Sequence, residues 1–254
     1  MSKHLISCII ACNKNEKYLL ECLESTLTQT YKKIRIVLVL NGSQRKRLEH
    51  AVRKKYKNNK LVTILHSEIE QLGFCLNLAI INCDSKYIAR ADGDDVNLPD
   101  RLAMQYDFLR SRKLNLCGTN LQLINETGKI IGKRVYPRYP SINKLIPFKN
   151  CFAHNTILGT KEFFISNRAY TGGLHTEDYD LWIRSSKNNP LWDNLNKELV
   201  NYRLHRGSSQ FSKNSFAEMA GISCREFIKN KNLITLSALF AHLIRGFISR
   251  AGKR

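Results

Sequence analysis

The chain has 254 residues, enough to bury a core of its own, with 41 Lys and Arg against 21 Asp and Glu, a formal net charge of +20. That balance favours anionic partners such as nucleic acid, phosphorylated substrates or an anionic membrane face, and it also keeps a chain in solution. The eight cysteines include no Cys-x-x-Cys pair, which argues against a thiolate metal module and, at this length, against a disulfide framework; buried thiols in a reducing compartment are expected.

The start, MSKHLISCIIAC, is basic and then apolar. The apolar run is too short for a signal peptide and polar NKNEK follows, so residues 5–12 read as a buried strand. No stretch approaches the roughly 20 apolar residues of a membrane-spanning helix. Leu19, Leu23 and Leu27 then fall on one helical face. IRIVLVL (34–40) is a second strand, closed by the turn signal Asn41-Gly42-Ser43. Residues 45–60 read as a basic helix, 61–65 as a third strand, 72–83 as a buried helix and 87–91 as a fourth strand. Alternating strand and helix predicts an α/β fold with a mostly parallel sheet, whose ligands sit beyond the strand carboxyl ends. Asn41 and the acidic run that follows residue 91 both lie there.

Pro99 opens the next helix, with Asp100 and Arg101 expected as an ion pair at its start. Residues 114–137 read as two strands around the turn Asn125-Glu126-Thr127-Gly128. Residues 136–150 hold three of the five prolines and read as a loop, and Thr176-Glu177-Asp178 reads as a helix start. Leu233, Leu236, Phe240, Leu243 and Phe247 keep helical spacing in a segment that ends in Arg245, Arg250, Lys253 and Arg254. This segment suits either an interfacial helix on an anionic membrane or packing on its own domain or a partner.

The densest acidic cluster, RADGDDVNLPDRL (90–102), gathers Asp92, Asp94 and Asp95 around Gly93. An EF-hand is excluded, because the twelfth position from Asp92 is Ala103. On extended backbone, Asp-x-Asp points alternate carboxylates the same way, and the glycine leaves room for a ligand to approach the main chain. Mn²⁺ or Mg²⁺ held by two carboxylates and substrate phosphates would offset their repulsion.

Five ordered blocks, over roughly residues 5–212, resemble the bacterial family 2 glycosyltransferases: LISCIIACNKNEKYLLECLESTLTQTY, LNLAIINCDSKYIARADGDDVNLPDRLAMQYDFL, FAHNT, TEDYDLWIR and YRLHRGSSQFS. The resemblance implies a GT-A-type, Rossmann-like sheet over residues 1–212, with a nucleotide-sugar-binding half (1–112) and an acceptor-binding half (113–212), then a basic helical extension (213–254). It implies that Asp92 and Asp94 hold a metal and the donor diphosphate, with His205 as a further metal ligand and Asp95 supporting that shell or touching the sugar. Asp178, with Glu177 beside it, falls at the catalytic base. Arg203 and His205 fall near the diphosphate, and His154 by the sugar or acceptor. Trp182 is a candidate sugar platform, with core packing the preferred reading; Asp180 reads as structural. The family's acidic pair before Gly-Ser is replaced by Leu40 and Asn41, so Asn41 is left as the candidate contact to the base. Gln71 stands where a glycine is usual.

The implied reaction moves a sugar from a nucleoside-diphosphate sugar, UDP first among the nucleotides, to a saccharide or lipid-linked acceptor in cell-surface polysaccharide synthesis. One base on the far face gives inversion. The expected place is the cytoplasm or the inner face of the cytoplasmic membrane. Two rivals are weaker. A nucleotidyltransferase begins with a glycine-rich loop, where this chain has CNKNEK, and a nucleic-acid binder would show a recognisable module or a basic-aromatic stripe.

Overall fold

The computed structural model describes residues 4–57, 59–205 and 213–249. Strand and helix alternate first: β1 (Ile6–Cys12), α1 (Glu16–Leu27), β2 (Ile34–Leu40), α2 (Arg45–Lys55), β3 (Val62–His66), α3 (Leu72–Ile81) and β4 (Tyr87–Asp92). There follow β5 (Val96–Asn97), α4 (Arg101–Ser111), β6 (Leu116–Ile124), β7 (Ile130–Arg134), α5 (Ser141–Leu145) and a 3-10 turn (His154–Thr156). The chain continues with β8 (Leu158–Thr160), α6 (Lys161–Ser166), α7 (Glu177–Ser186), β9 (Trp192–Arg203), α8 (Lys213–Asn230) and α9 (Leu233–Ile248).

One nine-stranded sheet runs in the order β3-β2-β1-β4-β8-β6-β9-β5, with β7 added on β6. It is parallel through β3-β2-β1-β4. It then becomes mixed, because the short β8 enters antiparallel between β4 and β6. The parallel expectation holds through β3-β2-β1-β4 and again for β6 and β9, with β8, β7 and β5 paired antiparallel. Successive strand residues face opposite layers. Ile9, Val37 and Val39 pack under α3 and α7, with Leu76, Leu181 and Trp182. Cys8, Ile10 and Leu38 pack against Leu19, Leu48 and Leu102 of α1, α2 and α4. Burial on both faces is why these strands read as unbroken apolar runs.

The hairpin around residues 125–128 is β6–β7. The expected loop at 136–150 contains α5. The twelve-residue β9 (WDNLNKELVNYR) gave no clear apolar signal, since its middle is polar and its register against β6 shifts at Thr119–Leu121. All eight cysteines are free, and all but the half-buried Cys224 are buried.

Helices α8 and α9 form an antiparallel pair that rests on α7. Arg225 of α8 donates to Asp180 Oδ1 at 2.6 Å, and Arg184 donates to Asp180 Oδ2 at 2.7 Å. Asp180 is thus structural, and its carboxyl lies below the usual range because those arginines outweigh its burial. Arg250, Lys253 and Arg254, and residues 206–212 of the closing YRLHRGSSQFS block, lie outside the described residues.

Candidate active site

β1, β2 and β4 end level with one another: Cys12 pairs with Leu40, and Ala11 with Asp92. The acidic loop leaves the sheet at this edge. One oxygen each from Asp92, Asp94 and Asp95 falls within 4.8 Å of the others. Each carboxylate has a different setting. Asp92 accepts both Nη1, at 2.9 Å, and Nη2 of the buried Arg90. Asp94 Oδ2 lies 2.8 Å from His205 Nε2. Asp95 is buried, accepting from Asn155 Nδ2 and from the Arg203 amide at 2.9 Å. Burial and the neighbouring carboxylates raise the pKa of Asp95 well above the usual range; burial and Asp94 raise that of Asp92 despite Arg90.

Beneath it, Arg101 is buried and touches no carboxylate among the described residues. It donates to Gln105 Oε1 at 3.0 Å, to the Arg90 carbonyl at 2.6 Å and to Asn97. The expected helix-start ion pair with Asp100 is replaced by this inward clamp under β4, and burial lowers the guanidinium to about 10.

A second pair of carboxylates sits at the N-terminus of α7. Asp178 accepts from Asn150 Nδ2 and, at 2.7 Å, from the Tyr179 amide. Glu177 is buried, with Oε1 3.6 Å from His154 Nδ1. His154 Nε2 in turn lies 2.7 Å from the Tyr170 hydroxyl. Burial and the Arg90 charge push the His154 pKa far down, so its ring is neutral. Burial, then the Asp178 charge, pushes Glu177 up to about 8, and Asp92 adds to the same shift. Glu177 thus feels both acidic groups, across one shared region. Burial raises Asp178 too, but two hydrogen bonds oppose it. Glu177 has a backbone donor but no side-chain amide like Asn150, so of the two it is the better proton holder and Asp178 the better anion.

Three expected site residues are placed differently. Arg203 is buried in the protein: Nε donates to the Asp94 carbonyl at 3.0 Å, Nη2 to Glu21 at 2.5 Å, and the guanidinium lies 4.3 Å from the Tyr18 ring centre. It braces the acidic loop rather than facing a diphosphate. Asn41 is 4% exposed and donates to Cys75 Sγ at 3.0 Å. Its side chain turns under α3, and Asn13, Gly42 and Glu70 lie together at this edge. Trp182 is 0% exposed and packs against Phe152 and Phe163. It has no surface for a sugar, so the core reading holds. Gly93 serves packing as well: an added Cβ would lie 3.1 Å from Cys12 Sγ.

Several supports carry no sequence signal. Glu218 of α8 accepts from Thr176 Oγ1 at 2.8 Å and from the amides of Leu174 and His175, holding the entry to α7. Gly73 of α3 lets Tyr170 and Glu177 approach, for a Cβ there would sit 3.3 Å from Tyr170 Cβ. A separate cavity of about 940 Å³ between α2 and β3, lined by His50, Arg53, Tyr56 and Val62 among others, reaches none of these residues.

The family model described as glycosyl transferase family 2 matches residues 7–170. The O-antigen biosynthesis glycosyltransferase WbnJ of Escherichia coli is 38% identical over 246 residues, spanning 96% of this chain and 97% of that protein. The amylovoran biosynthesis glycosyltransferase AmsE of Erwinia amylovora is 33% identical over 184 residues, 71% of this chain and 69% of that one. The crystal structure of S. aureus TarS 1-349 in complex with UDP-GlcNAc shares the fold with a TM-score of 0.72 at 18% identity, covering 96% of this chain and 72% of that one. A family match over more than half the chain, with a relative alike from end to end, settles the class: the chain belongs to glycosyl transferase family 2 and is a glycosyltransferase of GT-A-type fold.

Proposed function

We propose that the chain transfers a sugar, with inversion, from a UDP-sugar to a saccharide or lipid-linked acceptor during O-antigen or related cell-surface polysaccharide synthesis. The observation that carries this is the meeting of two carboxylate groups across one short turn: Asn155 donates to Asp95 of the acidic loop, while its neighbour His154 lies 3.6 Å from Glu177 at the start of α7. One group suits the donor diphosphate and the other the acceptor hydroxyl. The names of the relatives support the pathway class, and the UDP-GlcNAc bound to the structural neighbour supports the nucleotide.

The acidic cluster fits a divalent cation. Its donors are oxygens of the kind Mg²⁺ and Mn²⁺ take, and one from each of Asp92, Asp94 and Asp95 comes within 4.8 Å of the others. Asp92 and Asp94 would hold such an ion, with His205 at the rim; when bound, it supplies Lewis-acid screening of the leaving diphosphate. Asp95, buried, supports this shell. On the acceptor side Asp178 takes the hydroxyl proton as the sugar is displaced from the opposite face. Asn150 and the Tyr179 amide fix its oxygens. Glu177, protonated, avoids like-charge repulsion with that base, and neutral His154, linked to Tyr170, fills the space beside it. Residues 1–112 form the donor half and 113–212 the acceptor half, working at the inner face of the cytoplasmic membrane.

The test is thermal stabilisation by nucleotide sugars with and without Mn²⁺. A UDP-sugar should raise the melting temperature with concentration in a metal-dependent way, and Asp94→Asn should remove that dependence. Stabilisation by UDP-sugars that ignores both metal and Asp94 would sink the assignment.

A further inference from the structure

Helix α9 presents a face that nothing covers among the described residues. Leu233, Ile234, Phe240, Ile244, Phe247 and Ile248 are all more than half exposed, with Leu233 at 77% and Phe247 at 85%. At 100° per residue these side chains share one side of a 16-residue helix, while Ala238 and His242 are buried on the other. Isolated exposed apolar residues are ordinary, but a continuous strip along a whole helix marks a contact surface. Among the described residues no helix is long and apolar enough to cross a membrane.

Its charges point to the occupant. Residues 227–254 contain six Lys or Arg and no Asp or Glu. Lys229 and Lys231 stand before the helix and Arg250, Lys253 and Arg254 after it. A second copy of the chain would set two such basic stretches against each other. An apolar strip flanked by cations and free of acids matches the boundary of an anionic bilayer, where the strip enters the acyl region and the cations meet headgroups.

The buried side of α9 fixes the acceptor end of the site. His242 Nε2 lies 3.1 Å from both the Tyr179 hydroxyl and the Pro147 carbonyl, and Arg245 donates to the Phe148 carbonyl. Tyr179 follows Asp178 in α7, and Asn150, just beyond Phe148, holds the Asp178 carboxylate. We propose that the outer face of α9 docks on an anionic lipid surface and so holds Asp178 at the height of an acceptor carried by a lipid. This rests on the function proposed above for the acceptor's use, but not for the docking itself.

Vesicle co-sedimentation of the full chain tests it, using phosphatidylcholine alone or mixed with phosphatidylglycerol. The wild type should sediment with the anionic vesicles and not with the neutral ones, and salt should weaken the binding, each basic residue contributing about a five-fold change in partition. The double variant Phe240→Glu/Phe247→Glu replaces exposed side chains only, and should lose about ten-fold or more in partition while keeping its donor-induced thermal shift. Wild type left in the supernatant with anionic vesicles overturns the proposal. So does a variant that binds as the wild type does, since charge alone would then suffice. A dimer seen by light scattering and split by the variant, without vesicle binding, assigns the face to a second copy instead. A wild type that shows the donor-induced thermal shift but binds no vesicles removes only this inference, and one that binds anionic vesicles without any donor response removes only the sugar transfer proposed above.

Discussion

Arg90 donates to both carboxylate oxygens of Asp92 from a position that is itself buried at the end of β4. The pair offsets the desolvation of the guanidinium, whose Nε has no hydrogen-bond partner among the described residues. Removing one member of such a pair costs far more than the pair contributes as a whole, because the other is left uncompensated.

Arg90→Met should therefore destabilise the chain by about 3 kcal/mol in chelator, as measured by urea unfolding. Arg90→Lys should recover little, since an ammonium cannot bridge both oxygens. A neutral outcome for Arg90→Met would mean that Asp92 is satisfied without it.

Asn150 and Asp178 provide the second prediction. Asp178→Asn keeps the shape but removes the base, and transfer should fall by about 10²- to 10⁴-fold with donor affinity unchanged. Asn150→Ala leaves the base but frees one of its oxygens, and kcat should fall about ten-fold, the scale of one hydrogen bond to a charged group. Steady-state kinetics beside donor titrations separate the two variants. Near-full transfer by Asp178→Asn would move the base elsewhere.

The sequence made parts of this site legible for a physical reason. Asp92, Asp94 and Asp95 are neighbours in the chain, so their clustering needed no fold to bring it about. Glu177 and Asp178 showed as first-turn carboxylates of a helix. What supports them is assembled across the fold: Glu218 reaches Thr176 from 42 residues away, and Asn150 reaches Asp178 across 28. No local pattern encodes such contacts. Arg203 and Asn41 were read by position within their blocks, and position did not reveal that their side chains point inward. β9 was missed because half its length is polar, its order coming from pairing with β6 rather than from apolar alternation.

The pH dependence of stability should carry the mark of Glu177. Its folded pKa, about 8, is above the usual carboxylic value of 4.5. Between those values the folded state holds the proton more tightly than the unfolded chain, so this contribution is fully present below pH 4.5 and is lost as pH rises through 8. Glu177→Gln keeps a neutral group there at every pH. The variant should match the wild type below about pH 4.5, draw ahead of it as pH rises, and level off above pH 8, by on the order of a few kcal/mol at most. Parallel melting curves across that window would show Glu177 ionising without penalty.

Gly93 gives the last prediction, because its role separates packing from ligand access. A Cβ at this position would fall 3.1 Å from Cys12 Sγ and 3.2 Å from Cys12 Cβ. β1 is a central strand and cannot retreat, so the loop must move, carrying Asp92 and Asp94 with it. Gly93→Ala should cost about 1–3 kcal/mol, the scale of overpacking in a core. Cys12→Ala removes the sulfur but keeps the 3.2 Å contact, so the double variant should regain only part of that loss. The coupling between the two sites should be on the order of 1 kcal/mol in a double-mutant cycle. If ligand access alone required the glycine, Gly93→Ala would fold as well as the wild type, the cycle would show no coupling, and only donor binding would suffer.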